Sequence, residues 1–574
     1  MAVVTNYLLG KEMAWDTLNY HLYAGFSAVN DRFNQDYFAA GPQSYFNPYA
    51  YVPFYSMVRV GLPALAIGTL LATVHSVIFW LTFELAILVC PSHDTRTRLL
   101  FGASAVAMSY MNPILMQQLG SSFADITTGE LILGGLLLLA GAVHRPSVVR
   151  VVCGGLLLGA ATALKPTNAV HAISALTIII FVPGKPRERI RAGLACTLAV
   201  GVGFAIVAAP WAYRMAQMFG NPFFPLLNNL FRSPEFPSGA LRHFRFIPES
   251  FADALWRPFA MISPTRMIHT EVRAPDPRYA VLAIALAVCC VSWLWHRRVA
   301  GTRPAAPARA AAEARTLAAV GCALLSDWIL WMAGSGNSRY FLPMSCVAAV
   351  VMVALLFRIF TDRPKVLSYI LITILATQGI QLCMGAELRW TPAKWGGPWF
   401  DIAMQKRLAM QPNLYLTEGA ASNSFIAPYL AAGSGLVNFS GGYTLTSGGA
   451  NGARVEALIR RYAPNLRVLT RGEQLYKDDA WRAPRLSHID DALQRFGLRV
   501  DTEDCTTITV RGLRAEPEIT RKTSNAAAPR RKDDTSLISC HVVPDSADHS
   551  AQVAAQRLAD LALDNLEDAC PRLF

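Results

Sequence analysis

The chain has 574 residues, of which 53% are hydrophobic and only 16% charged, with a mean hydropathy of +0.31. Too few charged side chains remain to solvate the surface of a water-soluble protein of this size, so a membrane is its expected solvent. The formal net charge of +13 does not point to nucleic acid, because the basic residues are scattered through short segments between apolar runs rather than gathered in one domain.

In chain order, Met1 to Trp15 has neither a cleavable signal sequence nor enough apolar length to span a bilayer, and residues 1–60 read as an outward-facing segment. Hydrophobic runs measured against a hydrocarbon core of roughly 30 Å then predict about ten spans, near residues 65–90, 99–118, 126–143, 148–164, 168–182, 193–212, 279–296, 316–333, 341–360 and 367–384. The short pair 148–164 and 168–182, divided by Lys165-Pro166-Thr167, also fits a re-entrant hairpin. The spans make a domain over 61–385. From Trp390 the chain reads as a small soluble α/β domain over 386–519, with strands at Leu414–Leu416, Leu436–Phe439 and Thr506–Val510 and a helical stretch from Ser424 to Ala432. Residues 520–574 read as a linker, flexible from Thr520 to Thr535, followed by a helical tail from His549 to Leu566. The predicted fold class is thus mainly α: a polytopic membrane helix bundle with a C-terminal α/β domain.

Orientation follows from the short connections. Arg96 and Arg98, Arg145 and Arg150, Lys185 to Arg191, Arg297 to Arg315, and Arg363 with Lys365 occupy every second one, which makes those loops cytoplasmic. Residues 1–60, the loop at Asp125, Lys165, the long segment 213–278, Arg339 and the chain after 385 then face outward, which for a bacterial inner membrane is the periplasm. Eight cysteines lie in or beside apolar runs, where they act as small hydrophobes. Cys505, Cys540 and Cys570 lie in the polar C-terminal part and allow at most one intramolecular bridge among themselves.

Lys165 and Arg339 break the charge rule that the other short connections obey, and a phosphate at the membrane surface satisfies both; the alternative is that each snorkels to lipid headgroups. On the same face Trp15-Asp16-Thr17-Leu18-Asn19-Tyr20-His21 offers a carboxylate, an amide, a phenol and an imidazole. Asp16 suits a general base that takes the proton of an attacking hydroxyl, and its alternative is capping a helix begun at Thr17. Asn19 and His21 are candidate substrate contacts. Asp125 either positions an acceptor, shares a divalent ion with Asp16, or caps a helix. Asp327 and Glu130 sit in the outer halves of spans and are expected to face a polar cavity, whereas Glu84 and His75 read as structural pairs. The aromatic, proline-rich stretch from Pro210 through Leu226 suits an amphipathic segment lining a lipid groove, with Arg214 as a third outward cation. No Walker motif, dinucleotide loop or zinc-protease helix occurs.

The order of Asp16-x-x-Asn19-Tyr20-His21, Tyr45-Phe46-Asn47-Pro48, Ala160 to Thr167, Gly220 to Pro225 and Asn337-Ser338-Arg339-Tyr340-Phe341-Leu342-Pro343 resembles the GT-C superfamily, over roughly residues 10–385. These membrane glycosyltransferases use polyprenyl-phosphate sugars and are similar to the dolichyl-phosphate-mannose and lipid A aminoarabinose transferases. The resemblance implies a catalytic acid at Asp16, donor-phosphate contacts from Lys165 and Arg339 with Tyr340 beside them, and a second acidic position at Asp125. It also implies a lipid, glycan or protein acceptor and inverting transfer. The family's first helix has no counterpart ahead of Asp16, and a single acid stands there where many relatives carry a pair. Two other classes compete: a flippase with an ion path through Asp327, Glu130 and Glu84, and a non-catalytic scaffold of envelope polysaccharide assembly. The absence of an internal repeat and the bias of polar residues to one face weigh against the flippase.

Overall fold

The computed structural model describes residues 1–239, 244–299, 308–419, 421–440, 445, 449–471, 489–512 and 535–545. The chain divides into two compact units, one of 1–8, 69–210 and 242–389, the other of 9–68, 211–241 and 390–574.

The first unit is helical. Across the described residues six helices are long and apolar enough to cross a membrane: Ala64–Val89, Ala124–His144, Pro186–Phe219, Ala311–Gly334, Leu342–Ile359 and Pro364–Met384. Val148–Leu164, Pro166–Phe181 and Arg278–Ser292 are shorter apolar helices. Every predicted run is therefore helical, though two are interrupted, the first of them between Val74 and Val77. The run 99–118 is two helices, Thr95–Tyr110 and Pro113–Gln118. Asn112 breaks it, because its Oδ1 accepts from the amides of Ile114 and Leu115 and so caps a fresh helix that starts on Pro113. Small residues let the helices approach closely. A Cβ on Gly159 would lie 2.0 Å from the Val200 carbonyl oxygen and one on Gly203 2.2 Å from that of Leu156, so Val148–Leu164 and Pro186–Phe219 meet backbone to backbone.

The second unit is built on a sheet. Its strands, with the short pieces before it, are Lys11–Glu12 (β1), Ala39–Pro42 (β2), Pro392–Ala393 (β3), Asp401–Ala403 (β4), Leu414–Thr417 (β5), Gly435–Asn438 (β6), Leu466–Arg471 (β7), Leu498–Arg511 (β8) and Thr535–Pro544 (β9). Six of them form one sheet in the order β4-β8-β9-β7-β5-β6. The β5–β6 and β5–β7 pairs are parallel and the others antiparallel. The predicted strands at 414, 436 and 506 fall on β5, β6 and β8, and the stretch at 424 is a 3-10 helix, Ser424–Tyr429. β9 corrects the reading of 520–574 as linker and tail, since Ser536 to Val543 carries the apolar side chains of a central strand. Cys505 and Cys540 are register partners on β8 and β9 and form a disulfide. Cys570, the helical tail from 549 to 566 and most of the linker lie outside the described residues.

Residues 9–68 are woven into this unit rather than standing as a loop of their own. The Tyr37 amide donates to Leu436 O and Asn438 N donates to Tyr37 O, which lays the segment beside β6. Asp36 accepts from the Leu436 amide at 2.8 Å while Arg32 holds its other face and reaches Ser434 O. Tyr37, Phe38, Tyr45, Trp211, Phe219, Phe224 and Phe236 share one core with Leu414, Val437 and Val468. Phe224 thus corrects part of the lipid-groove expectation for 210–226, because it stacks on Phe219 at 3.9 Å inside the protein.

Candidate functional site

In the first unit four of the expected residues come together. Ala124–His144 starts after Phe123, so Asp125 is not its cap but lies in its first turn, where the helix dipole favours a carboxylate. Lys165 ends the helix Val148–Leu164 with φ −146° and ψ 105°, the extended geometry that a following proline imposes, and this turns its side chain out of the helix. Its Nζ donates to Asp125 Oδ1 at 2.5 Å and stands 4.9 Å from the Tyr340 ring centre. Arg339 Nη2 approaches Asp125 Oδ2 at 3.9 Å, and its guanidinium lies 4.7 Å over the Phe123 ring. Asp125 is buried, Arg339 nearly so, and Lys165 keeps 18% of its side chain exposed. Two cations thus converge on one buried carboxylate.

The turn that presents Arg339 is held from several sides by residues that sequence reasoning missed. Trp331 Nε1 donates to Asn337 O at 2.7 Å, Asn337 Nδ2 donates to Glu271 Oε1 at 2.7 Å, and Asn337 Oδ1 accepts from the Arg339 amide at 3.0 Å. The Ser338 amide donates to His269 O, and Ser338 Oγ and His269 Nδ1 are 2.7 Å apart. Burial pushes the His269 imidazole down to about 4, with Asp276 pulling it up and Arg257 pushing it further down. It is therefore neutral at pH 7. Tyr340 O accepts from His171 Nε2 at 2.7 Å, so that nitrogen carries a proton, while His171 Nδ1 meets Asp327 Oδ2 at 2.8 Å. Asp327, expected to face a polar cavity, is instead fully buried against a histidine. His75, expected to be structural, accepts from the Gly120 amide at 3.2 Å in the loop ahead of Asp125. The signals for these partners were weak: Asn337 and Ser338 flank Arg339, but Glu271, His269 and His171 are remote in sequence.

The second unit holds the other candidates. Thr17–His21 is a turn of π-helix, a conformation often found at functional sites. Asp16 begins it without capping it through its side chain, which removes the capping alternative. Glu12, which the sequence reading passed over, is fully buried; Thr17 Oγ1 donates to both of its carboxylate oxygens at 2.8 Å, and Ala14 N donates to Oε1. Asn19 is committed to structure. Its Nδ2 donates to Trp15 O at 2.8 Å, its Oδ1 accepts from the Asn423 amide at 2.8 Å, and its backbone oxygen accepts from Ser422 and Ser424. His21 is buried, stacked on Tyr51 at 4.6 Å and 3.4 Å from Thr17 Oγ1. Arg214 pairs with Asp31 at 3.2 Å, both well exposed. Among the described residues no group of three or more His, Cys, Asp and Glu is arranged to hold a metal ion.

No protein-family model matches the chain, and neither does any curated protein. Several solved structures are similar to it, among them the following two. One is ArnT from Cupriavidus metallidurans bound to undecaprenyl phosphate, at 14% identity and TM-score 0.34, covering 62% of this chain and 59% of that one. The other is the archaeal oligosaccharyltransferase AglB from Archaeoglobus fulgidus, in complex with an inhibitory peptide and a dolichol-phosphate, at 12% identity and TM-score 0.39, covering 83% of this chain and 69% of that one. The chain therefore spans less than two thirds of the length of the ArnT structure.

Proposed function

We propose that this chain is an integral membrane glycosyltransferase that moves a sugar from a polyprenyl-phosphate carrier to a lipid, glycan or protein acceptor on the outer face of the inner membrane. The observation that carries the reading is the convergence of Lys165 and Arg339 on Asp125 at the ends of apolar helices. Those cations bind the donor phosphate, and Asp125 keeps them ordered when no donor is present. The acceptor oxygen attacks the anomeric carbon, the bond from that carbon to the phosphate oxygen breaks with its electron pair leaving on the phosphate, and Asp16 takes the acceptor proton. Charge growing on the phosphate in the transition state is stabilised by Lys165 and Arg339, which are already fixed in place. Attack from the face opposite the phosphate inverts the anomeric centre. Glu12, Asn19 and His21 fix the turn that carries Asp16, and Tyr340 supports Lys165. An outward second unit agrees with the Cys505–Cys540 disulfide, because such bonds persist in oxidising compartments.

The test is transfer of labelled sugar from a polyprenyl-phosphate donor by purified protein, run beside Lys165→Ala, Arg339→Ala and Asp16→Asn at matched amounts. Loss in all three supports the roles given. Turnover unaffected by the two alanine variants overturns the phosphate clamp, and no turnover with any donor shifts the weight to a non-catalytic scaffold.

A further inference from the structure

The helix Phe251–Ala260 is built inside out for a helix in water. Phe251 is 79% exposed, and Leu255 and Trp256 are each 63% exposed. The charged residue one position later, Arg257, is only 3% exposed. Its guanidinium donates to Phe246 O at 3.1 Å, to Ile268 O at 2.9 Å and to Asp253 Oδ2 at 3.0 Å. A helix on the surface of a soluble protein hides its apolar stripe and shows its charges. Here the charges clip the helix to its own unit and the apolar stripe points away. Ser250 Oγ accepts from the Asp253 amide and stops the helix at one end, so the exposed side chains are not frayed ends. At 1.5 Å per residue the helix is about 15 Å long, half of what a span requires.

We propose that this helix lies in the membrane surface, with Phe251, Leu255 and Trp256 sunk into the boundary between headgroups and acyl chains. A bilayer is the occupant the unit itself supplies, since the same compact unit carries helices long and apolar enough to span one. Trp256 and Phe259 stack at 5.0 Å, and aromatic rings concentrate at the membrane interface. The helix is also tied to the turn bearing Arg339. Arg257 holds the Ile268 carbonyl, and the next residue, His269, bonds Ser338. It also holds Phe246 O, against which Gly336 packs so closely that a Cβ there would stand 2.0 Å away, at φ +61°. Lipid contact at one end of this brace thus fixes the height of the cation at the other. The inference stands whether or not the chain transfers sugar.

The experiment places the photoreactive residue p-benzoylphenylalanine at Leu255 or Trp256 of the full chain in phospholipid vesicles and weighs the products after irradiation. Tyr369, 70% exposed on the apolar helix Pro364–Met384, is the lipid-contacting control, and Arg460, on the exposed side of Ala450–Tyr462, is the aqueous one. Lipid adducts from both test positions within about threefold of those at Tyr369 are expected for an interfacial helix. Yields at the Arg460 level while Tyr369 still labels overturn the proposal. So do adducts to a second copy of the chain in place of lipid.

Discussion

The candidate residues of the two units are held by different means. In the first unit, Lys165, Arg339 and Asp125 hold one another by charge, each supplied by the end of a helix or by a turn between helices. In the second, the Thr17–His21 turn is held by hydrogen bonds, from Asn19 to backbone and from the Thr17 hydroxyl to both oxygens of Glu12. A charge cluster retains function only with the right charges. A hydrogen-bonded turn retains it only with the right shape. The same kind of substitution should therefore do different things in the two places.

The largest effect is expected at Asp16. Asp16→Asn keeps the size and polarity of the side chain and removes only the base, so transfer should fall by about 10³ to 10⁴ with unfolding temperature and donor affinity unchanged. Lys165→Ala and Arg339→Ala should each reduce transfer by about 10² to 10³. Unlike Asp16→Asn they should also weaken binding of polyprenyl phosphate itself, measured without an acceptor. A drop in transfer with intact phosphate binding would make these residues structural and erase the contrast.

Two smaller effects concern stability. The neutral His269 in the folded chain has a pKa of about 4 against 6.5 when unfolded. Its contribution is complete above pH 6.5 and is lost as pH falls toward 4, because the unfolded chain then binds the proton that the folded chain refuses. About 3 kcal/mol is at stake over that window, and His269→Gln should flatten the fall of unfolding temperature with acid. Asn19→Ala should lower stability by about 2 kcal/mol by stranding the Asn423 amide and the Trp15 carbonyl, and should lower transfer only as far as it loosens the turn. If Asn19→Ala cut transfer as deeply as Asp16→Asn with no loss of stability, the side chain would be a substrate contact after all.

Run length and charge made the spans legible, since a helix in lipid satisfies its own backbone and needs nothing remote. The sheet was less so. β9 follows a charged, alanine-rich stretch that reads as linker, and its place in the sheet depends on partners 25 or more residues away in the chain. Lys165 and Arg339 stood out because a lone cation between apolar runs is anomalous in isolation. Glu12 did not, because it sits beside Lys11 and reads as a surface pair, whereas both side chains are buried and Lys11 donates to Trp399 O. Arg214 stood out as a third outward cation, and in the structure it pairs with Asp31.

The position of β9 bears on how the protein is made. It is the last of the sheet's strands to be synthesised, yet it lies between β7 and β8 and is the sole neighbour that joins β8 and β4 to the rest of the sheet. Until residue 544 has been synthesised, β7 and β8 lack the strand that lies between them and Cys505 lacks its disulfide partner. The sheet is therefore open to edge mispairing until its last strand is in place.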